Sequence, residues 1–516
     1  MADRSVAIGE WSGPAAAMFV AGLIGAAFAA VLWRGGGDLS LGAAGLAALR
    51  FTVLQALASA ALSVLLAIPI ARALARRSFP GRALLVTLLG APFILPVIVA
   101  VLGLIAVFGR AGWINVGLGA LGLPPVSIYG AHGVVLAHVF FNLPLATRLI
   151  LQGWDAVPAE RFRLCASLGL GPWAAFRVLE WPILTRIVPG AFALIFAVCL
   201  TSFAVALILG GGPRATTLEL AIYEAFRFEF DLPRAAALSL IQLTLAAGAA
   251  ALALWLVPVL PRAPGLGRTA NRFDAPKGWR RVADGVVIAL GAAFLLLPIA
   301  ALLTRGAPAL LSLPPSVWAS AGTSLQVAAL STAFMLALAL PMAGWIASAR
   351  SGRAEAVGLL GLAASPLTIG TGWFILIYPY ADPAAWTLVV TATVNALMAL
   401  PFALRALVPA FRETLAGQGR LAASLGLTGL AYWRVVALPL ARPQLGFAAG
   451  LCAALSLGDL GVVALFAEPD QATLPLQMAR LMGAYRMEAA AGAAVLLMAL
   501  AFTAFWLCDR WGRASA

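Results

Sequence analysis

The feature that most constrains this chain is a series of continuous apolar runs, each about 20 or more residues long. Twelve can be drawn, at 14–33, 51–75, 83–108, 131–152, 187–209, 235–260, 282–304, 321–347, 356–380, 384–404, 445–467 and 488–508. A helix of about 20 residues crosses a hydrocarbon core of about 30 Å. Spanning β-strands would instead alternate apolar and polar residues over about ten positions, which these runs do not do. The sequence predicts an all-α polytopic membrane protein with about 12 transmembrane helices.

Charge placement predicts the orientation of these helices. With the N-terminus inside, 25 of the 34 Lys and Arg residues fall on cytoplasmic segments and nine on the other side. Cytoplasmic loops of membrane proteins carry such an excess of Lys and Arg, so we expect both termini in the cytoplasm. The net charge of +14 is interpreted as topology and contact with membrane lipid, and no nucleic-acid partner is expected.

The chain contains an internal repeat. Residues 163–170 (RLCASLGL) recur as 420–427 (RLAASLGL), and in each copy a proline follows thirteen residues after the Gly. The same offset of 257 aligns Leu143-Pro144 with Leu400-Pro401. Offsets of 271 to 274 align the early spans, matching Thr52 with Thr323, Gln55 with Gln326, Pro69 with Pro341 and Pro92 with Pro366.

The repeat divides the chain into two units. We expect one six-span unit at 1–260, a cytoplasmic linker rich in Pro, Gly and basic residues at 261–281, and a second six-span unit at 282–516. Because six spans separate equivalent points, both units enter the membrane in the same orientation, as a parallel repeat about an axis along the membrane normal. We therefore expect the substrate to pass between the two units. An extra segment at 109–130 is expected to form an external loop.

The two repeated segments lie in predicted cytoplasmic loops. Residues 159–168 are expected to form a short helix with Phe162, Leu164 and Leu168 available for one face, ended by Gly169 in a left-handed cap. Residues 417–425 repeat this pattern and end at Gly426. From the residues alone, such helices are either interfacial connectors or surfaces that present arginines to a partner, namely Arg161, Arg163, Arg412 and Arg420.

A family resemblance favours the second interpretation. The pattern of a Gly, nine intervening residues and then apolar-x-apolar-Pro resembles the EAA loop of ABC importer permeases. The resemblance implies two fused six-helix type I ABC importer (MetI-like) permease repeats, with a cytoplasmic ABC ATPase docked at each loop. Where the family usually has Glu, this chain has Arg163 and Arg420. The candidate coupling residues are Arg163, Ser167, Leu168, Gly169, Leu179, Pro182, Arg420, Ser424, Leu425, Gly426, Leu438 and Pro439.

The chain is not expected to be an enzyme. A phosphate-binding loop of the form GxxxxGK[ST] needs a lysine, and the one lysine, Lys277, lies between Pro276 and Gly278. Any ATP and Mg²⁺ would therefore be used by a separate ATPase subunit, and no cofactor is expected on this chain. No catalytic or metal-ligating group of residues stands out, and the four cysteines show no paired spacing.

Further stretches are similar to the thiamine ABC transporter permeases. They lie at 127–130, 139–148, 179–182 and 209–226 in the first unit and at 456–461 and 473–477 in the second. The resemblance implies import of thiamine and its phosphate esters across a bacterial inner membrane, with a periplasmic thiamine-binding protein delivering the substrate. A fused permease for ferric iron, a polyamine or a phosphonate is the nearest alternative. An ion-coupled secondary transporter is a more distant one.

Two ionisable residues within the spans attract attention. Asp459 lies in the eleventh run, where a carboxylate costs about 2.5–3.5 kcal/mol unless it faces water or a partner. It is a candidate for the translocation path of a cation, and a hydrated structural carboxylate is the alternative. His138 in the fourth run is interpreted as a core imidazole. After span five, the turn at 210–213 and the amphipathic stretch to Phe230 form either an external docking surface or a re-entry loop.

Overall fold

The computed structural model describes residues 12–35, 42–90, 94–212, 215–256, 278–349, 365–468 and 471–513, and every secondary-structure element there is helical. The first unit contains α1 (Ser12–Gly35), α2 (Gly42–Arg76), α3 (Arg82–Leu88), α4 (Val97–Phe108), α5 (Trp113–Ala120), α6 (Ala131–Asp155), α7 (Ala159–Ser167), α8 (Pro172–Ala175), a π-helix (Phe176–Glu180), α9 (Trp181–Leu200), α10 (Ala204–Leu209), α11 (Leu218–Arg227) and α12 (Leu232–Leu256).

The second unit repeats this order. It contains α13 (Trp279–Ala309), a 3₁₀-helix (Leu310–Ser312), α14 (Pro315–Ala349), α15 (Pro366–Ile377), a 3₁₀-helix (Pro383–Trp386), α16 (Thr387–Ser424), α17 (Gly429–Tyr432), a π-helix (Trp433–Ala437), α18 (Leu438–Leu440), α19 (Arg442–Leu457), α20 (Gly461–Phe466), α21 (Leu474–Gly483) and α22 (Met487–Arg513).

The predicted all-α membrane architecture is confirmed. Within the described residues, 11 helical segments are long and apolar enough to cross a membrane. The predicted ninth run, 356–380, accounts for the difference from twelve. Residues 356–364 lie outside the described residues, and the remainder contains α15, a helix of 12 residues that is too short to be counted as a span.

Three runs that were expected to be continuous are interrupted. The third run divides into α3 and α4, with Pro96 capping α4. The fifth divides at residues 201–203 and the eleventh at 458–460, and these two breaks are equivalent by the offset of 257. Both breaks contain short polar side chains, at Thr201-Ser202 and at Asp459, which compete with helical hydrogen bonds. The expectation of unbroken helices was wrong at these positions.

The first span of each unit packs against the opposite unit. Helix α1 contacts α14 and α15 of the second unit, and α13 contacts α2 and α4 of the first. Glycines permit both close approaches. Gly103 of α4 faces the backbone of Pro298 in α13, where a Cβ would lie 2.7 Å from the carbonyl oxygen, and Gly372 of α15 faces the backbone of Ala27 in α1. Helix α1 also contacts α12 and α13 also contacts α22, so each first helix lies between the two units.

The connecting segments differ from expectation in detail. Of the predicted linker 261–281, residues up to 277 lie outside the described part of the chain, and α13 already begins at Trp279. The segment 109–130, which was expected to form an external loop, contains the helix α5. The stretch after span five, which was expected to form either an external docking surface or a re-entry loop, contains α11. Leu218 at the start of α11 is buried, and its N–H donates to Thr52 Oγ1 of α2 at 2.8 Å.

Candidate coupling loops and translocation path

The two repeated loops end their helices in the same way. At the end of α7, the N–H of Gly169 donates to Ala166 O (3.1 Å) and that of Leu170 to Cys165 O (3.0 Å). This is a Schellman cap, and it requires the left-handed backbone that Gly169 adopts at φ 65°. The serine in the repeated segment also contributes, since Ser167 Oγ donates to Leu164 O at 2.9 Å.

The second loop repeats these contacts atom for atom. The N–H of Gly426 (φ 72°) donates to Ala423 O at 3.1 Å and that of Leu427 to Ala422 O at 2.9 Å. Ser424 Oγ donates to Leu421 O at 2.8 Å. The loop differs in what precedes it. The helix expected to start at 417 is instead the last part of α16, which runs unbroken for 38 residues from span ten, because no counterpart of Pro158 interrupts it.

Each loop exposes the same set of apolar side chains. Leu164 and Leu168 are 59% and 66% exposed, and their counterparts Leu421 and Leu425 are 63% and 67% exposed. Exposed residues next to them include Arg163, Arg420, Ser167 and Ser424. The prediction that Phe162 shares the face of Leu164 and Leu168 was wrong. Phe162 is 2% exposed, because residues two apart on a helix point in nearly opposite directions.

A π-helix precedes the proline of each repeat. The two π-helices, Phe176–Glu180 and Trp433–Ala437, occupy equivalent positions, and Pro182 and Pro439 follow them in the first turns of α9 and α18. A proline ring clashes with the carbonyl four residues before it, and a wider turn relieves that clash. Leu179 and Leu438 are half-buried beside these prolines. The apolar-x-apolar-Pro pattern therefore shapes the entry into the fifth and eleventh spans.

The break that contains Asp459 lies between the two units. A Cβ on Gly458 would lie 3.1 Å from Pro96 Cβ of the first unit, and one on Gly461 would lie 3.2 Å from Leu367 and 3.8 Å from Phe203. Asp459 Oδ1 accepts from the N–H of Gly461 at 3.2 Å. Asp459 Oδ2 is buried without a hydrogen-bond partner among the described residues. The carboxylate is thus placed where the helix ends of both units meet.

Sequence reasoning missed a pair of polar clusters, one in each unit. In the first unit, His138 Nδ1 lies 3.4 Å from Ser59 Oγ. In the second unit, Ser331 Oγ lies 2.8 Å from Ser456 Oγ, which also accepts from Asn395 Nδ2 at 3.1 Å. The offsets of 257 and 272 match His138 with Asn395 and Ser59 with Ser331. The repeat could therefore have revealed these buried pairs. The interpretation of His138 as a core imidazole agrees with its 3% exposure.

Comparison with known proteins finds relatives that match nearly the whole chain. No family model matches it. The thiamine transport system permease protein ThiP of Brucella abortus (strain 2308) is 41% identical over 480 residues, which cover 89% of this chain and 87% of that protein. The protein of the same name from Escherichia coli (strain K12) is 40% identical over 485 residues, with 89% and 88% covered. The one from Haemophilus influenzae (strain ATCC 51907 / DSM 11121 / KW20 / Rd) is 33% identical over 467 residues, with 87% and 86% covered.

These relatives confirm the resemblance that the sequence stretches carry. The identity extends over both units and over most of each relative. The apolar helices and the internal repeat agree with membership of the same family. The chain therefore belongs to the family of thiamine transport system permease proteins.

Proposed function

We propose that this chain is the permease subunit of an ABC importer that moves thiamine and its phosphate esters across the bacterial inner membrane. Family membership supports the substrate, because the relatives are named for thiamine transport. The apolar helices support a multi-pass location in the membrane. With most Lys and Arg on one side, both termini face the cytoplasm. A periplasmic thiamine-binding protein delivers the substrate to the opposite side.

The observation that carries the ATPase partnership is the equivalence of the two loops. Both have the same cap, the same exposed leucines and an exposed arginine, at Arg163 and Arg420. Two equal surfaces on one side of the membrane suit two copies of one ATPase subunit. ATP and Mg²⁺ are used by that subunit, since the single lysine does not complete a phosphate-binding loop in this chain.

The translocation path runs between the two units, past Asp459. Thiamine carries a permanent positive charge on its thiazolium ring. A carboxylate beside the broken helices of both units attracts that charge in a low-dielectric setting. Broken spans with a polar group at the break are a common construction for substrate sites in transporters.

Reconstituted transport tests the proposal. Vesicles that contain this chain, its candidate ATPase and its binding protein should take up labelled thiamine only when ATP is supplied. A vesicle without the ATPase is the control. Uptake of ferric iron, a polyamine or a phosphonate in place of thiamine would transfer the function to a different solute. Thiamine uptake driven by an ion gradient without the ATPase would overturn the ABC mechanism.

A further inference from the structure

The two loops are attached to their units in different ways. In the second unit, α16 continues from span ten into the loop without interruption. In the first unit, α6 ends at Asp155, and α7 begins only after Pro158, whose backbone is extended (φ −58°, ψ 137°). A displacement of the second loop is carried along a helix. A displacement of the first loop reaches span four only through a non-helical joint, so a contact between this loop and another span would transmit the displacement more directly.

An ion pair with a buried carboxylate supplies such a contact. Arg72, near the end of α2, donates from Nε to Glu180 Oε2 at 2.7 Å, and the Glu180 side chain is 1% exposed. The same guanidinium lies over the ring of Phe176, with 4.2 Å between Cζ and the ring centroid. Phe176 and Glu180 are the first and last residues of the π-helix that joins the first loop to α9. One arginine therefore holds both ends of this turn against α2.

The second unit has no counterpart of this pair. The offset of 257 matches Glu180 with Ala437 and Phe176 with Trp433. The positions that match Arg72 fall at 343–346, where all four residues are uncharged. Trp433 instead packs edge-on against Phe411 of α16, with ring centroids 5.1 Å apart. The ion pair thus occurs in the unit whose helix is interrupted, and the continuous helix occurs in the unit that lacks the pair.

A second ion pair continues the connection from α2 to the other unit. Directly after α2, Arg77 Nη2 lies 2.8 Å from Asp284 Oδ2 of α13, with both side chains mostly buried. The offset of 271 matches Asp284 with Gly13 of α1, which packs closely against Trp345 and brings no charge. The end of α2 is therefore bonded to the first loop on one side and to the second unit on the other.

We propose that the Arg72–Glu180 ion pair transmits the movement of the first loop to α2, and through Arg77 to α13, whereas the second loop acts through continuous helix α16. Arg72 and Glu180 are positioning residues in this scheme and do not touch the substrate. The inference rests on the proposed docking of an ATPase at the loops. It adds that the two docking sites are mechanically different.

The test separates docking from transmission. The variants Glu180→Gln and Arg72→Gln are reconstituted with the ATPase and the binding protein. Three quantities are measured, namely ATPase retained on the immobilised permease, ATP hydrolysed, and thiamine taken up per ATP. We expect unchanged retention, and uptake per ATP about ten-fold lower in each variant, because a lost link weakens coupling without removing the docking surface. Arg50→Gln, an exposed arginine at the opposite end of α2, is the matched control and should transport normally.

Two further sets of variants complete the experiment, one that tests for rescue and one that allows for a folding defect. The charge exchange Arg72→Glu with Glu180→Arg should recover part of the lost uptake per ATP, which a purely local packing defect would not. If Glu180→Gln fails to reach the membrane, Phe176→Leu removes the ring contact alone and should lower uptake per ATP by a smaller factor. Uptake per ATP equal to wild type, or loss of ATPase retention together with uptake, would overturn the inference. Failure of the wild-type chain to retain any ATPase would instead refute the proposed docking.

Discussion

At the scale of single residues, Asp459 is the position whose charge bears most directly on transport. Its Oδ1 caps the break by accepting from Gly461, and its Oδ2 is buried. Asp459→Asn keeps the size and the accepting oxygen but removes the charge. Because the carboxylate and the thiazolium ring carry opposite charges, and about 1.4 kcal/mol corresponds to a factor of ten in affinity, we expect thiamine uptake to fall by about ten- to a hundred-fold at low substrate. Initial rates of labelled uptake measure this effect.

The equivalent position in the first unit provides the control. The offset of 257 matches Asp459 with Ser202, which is uncharged and lies in the corresponding break. Ser202→Asn introduces the same side chain there without changing charge, and uptake should remain close to wild type. Equal losses in the two variants would show that the breaks tolerate no amide, and that the charge of Asp459 plays no separate part.

The repeated sequence predicted where the helices of the two loops end, but not which side chains those helices expose. Gly169 and Gly426 end helices in the left-handed conformation, as the repeated Gly predicted. The side-chain directions needed the structure, since Phe162 is buried while Leu164 and Leu168 are exposed. Arg72 and Glu180 were not recognised at all. They are 108 positions apart, and the ion pair breaks the symmetry of the repeat, so no offset could reveal it.

At the scale of elements, the helix caps of the two loops can be tested by substitution. Gly169 and Gly426 have open space around their Cα atoms, so a side chain there strains the backbone without striking a neighbour. The double variant Gly169→Val, Gly426→Val places a β-branched residue at positive φ, at a cost of about 1–3 kcal/mol per site. We expect membrane insertion to persist and ATP-driven uptake to be lost. Membrane content by immunoblot and uptake in the same vesicles measure both.

A glycine in ordinary helical conformation provides the comparison for that variant. Gly417 lies on the exposed side of α16, also with open space around it, and its φ is not positive. Gly417→Val should leave uptake nearly unchanged. Wild-type uptake in the double variant would rule out a coupling role for the two caps.

Hydropathy located the elements but not their interruptions. An apolar run gives the same average whether or not three residues in its middle leave the helix, so the breaks at 201–203 and 458–460 were invisible. The continuity of α16 was equally hidden. The matched segments 154–160 and 411–417 differ at most positions, among them Pro158 in the first unit and Leu415 in the second. Local propensity decides such points, and averaging over a span removes it.

At the scale of the whole molecule, α1 and α13 link the two units, because each packs against both. Gly372→Leu would push against the backbone of Ala27, and Gly103→Leu against that of Pro298. Overpacking of this kind costs about 1–3 kcal/mol or more, so we expect each variant to lower the melting temperature of the purified protein. Gly248→Leu in α12, where a Cβ meets no atom within 4 Å, is the control. A melting temperature equal to that of the control would contradict this role for the two glycines.

The apolar runs predicted the class of fold, but not which helix packs against which. Periodicity identifies an apolar face without naming its partner. Small residues on α4 and α15 signal close packing only once α13 and α1 are known to lie there. The pairing is a property of the assembled pair of units, so neither unit's sequence contains it alone.

The contacts of the first helices also bear on how the protein is made. Helix α1 is synthesised before the rest of the first unit, while α14 and α15, against which it packs, are synthesised only after that unit. During that interval the face of α1 around Ala27 lacks its contact with Gly372. A chain cut after the first unit would leave this face permanently exposed. Because α1 and α13 each contact both halves of the chain, the packing of one half depends on the presence of the other.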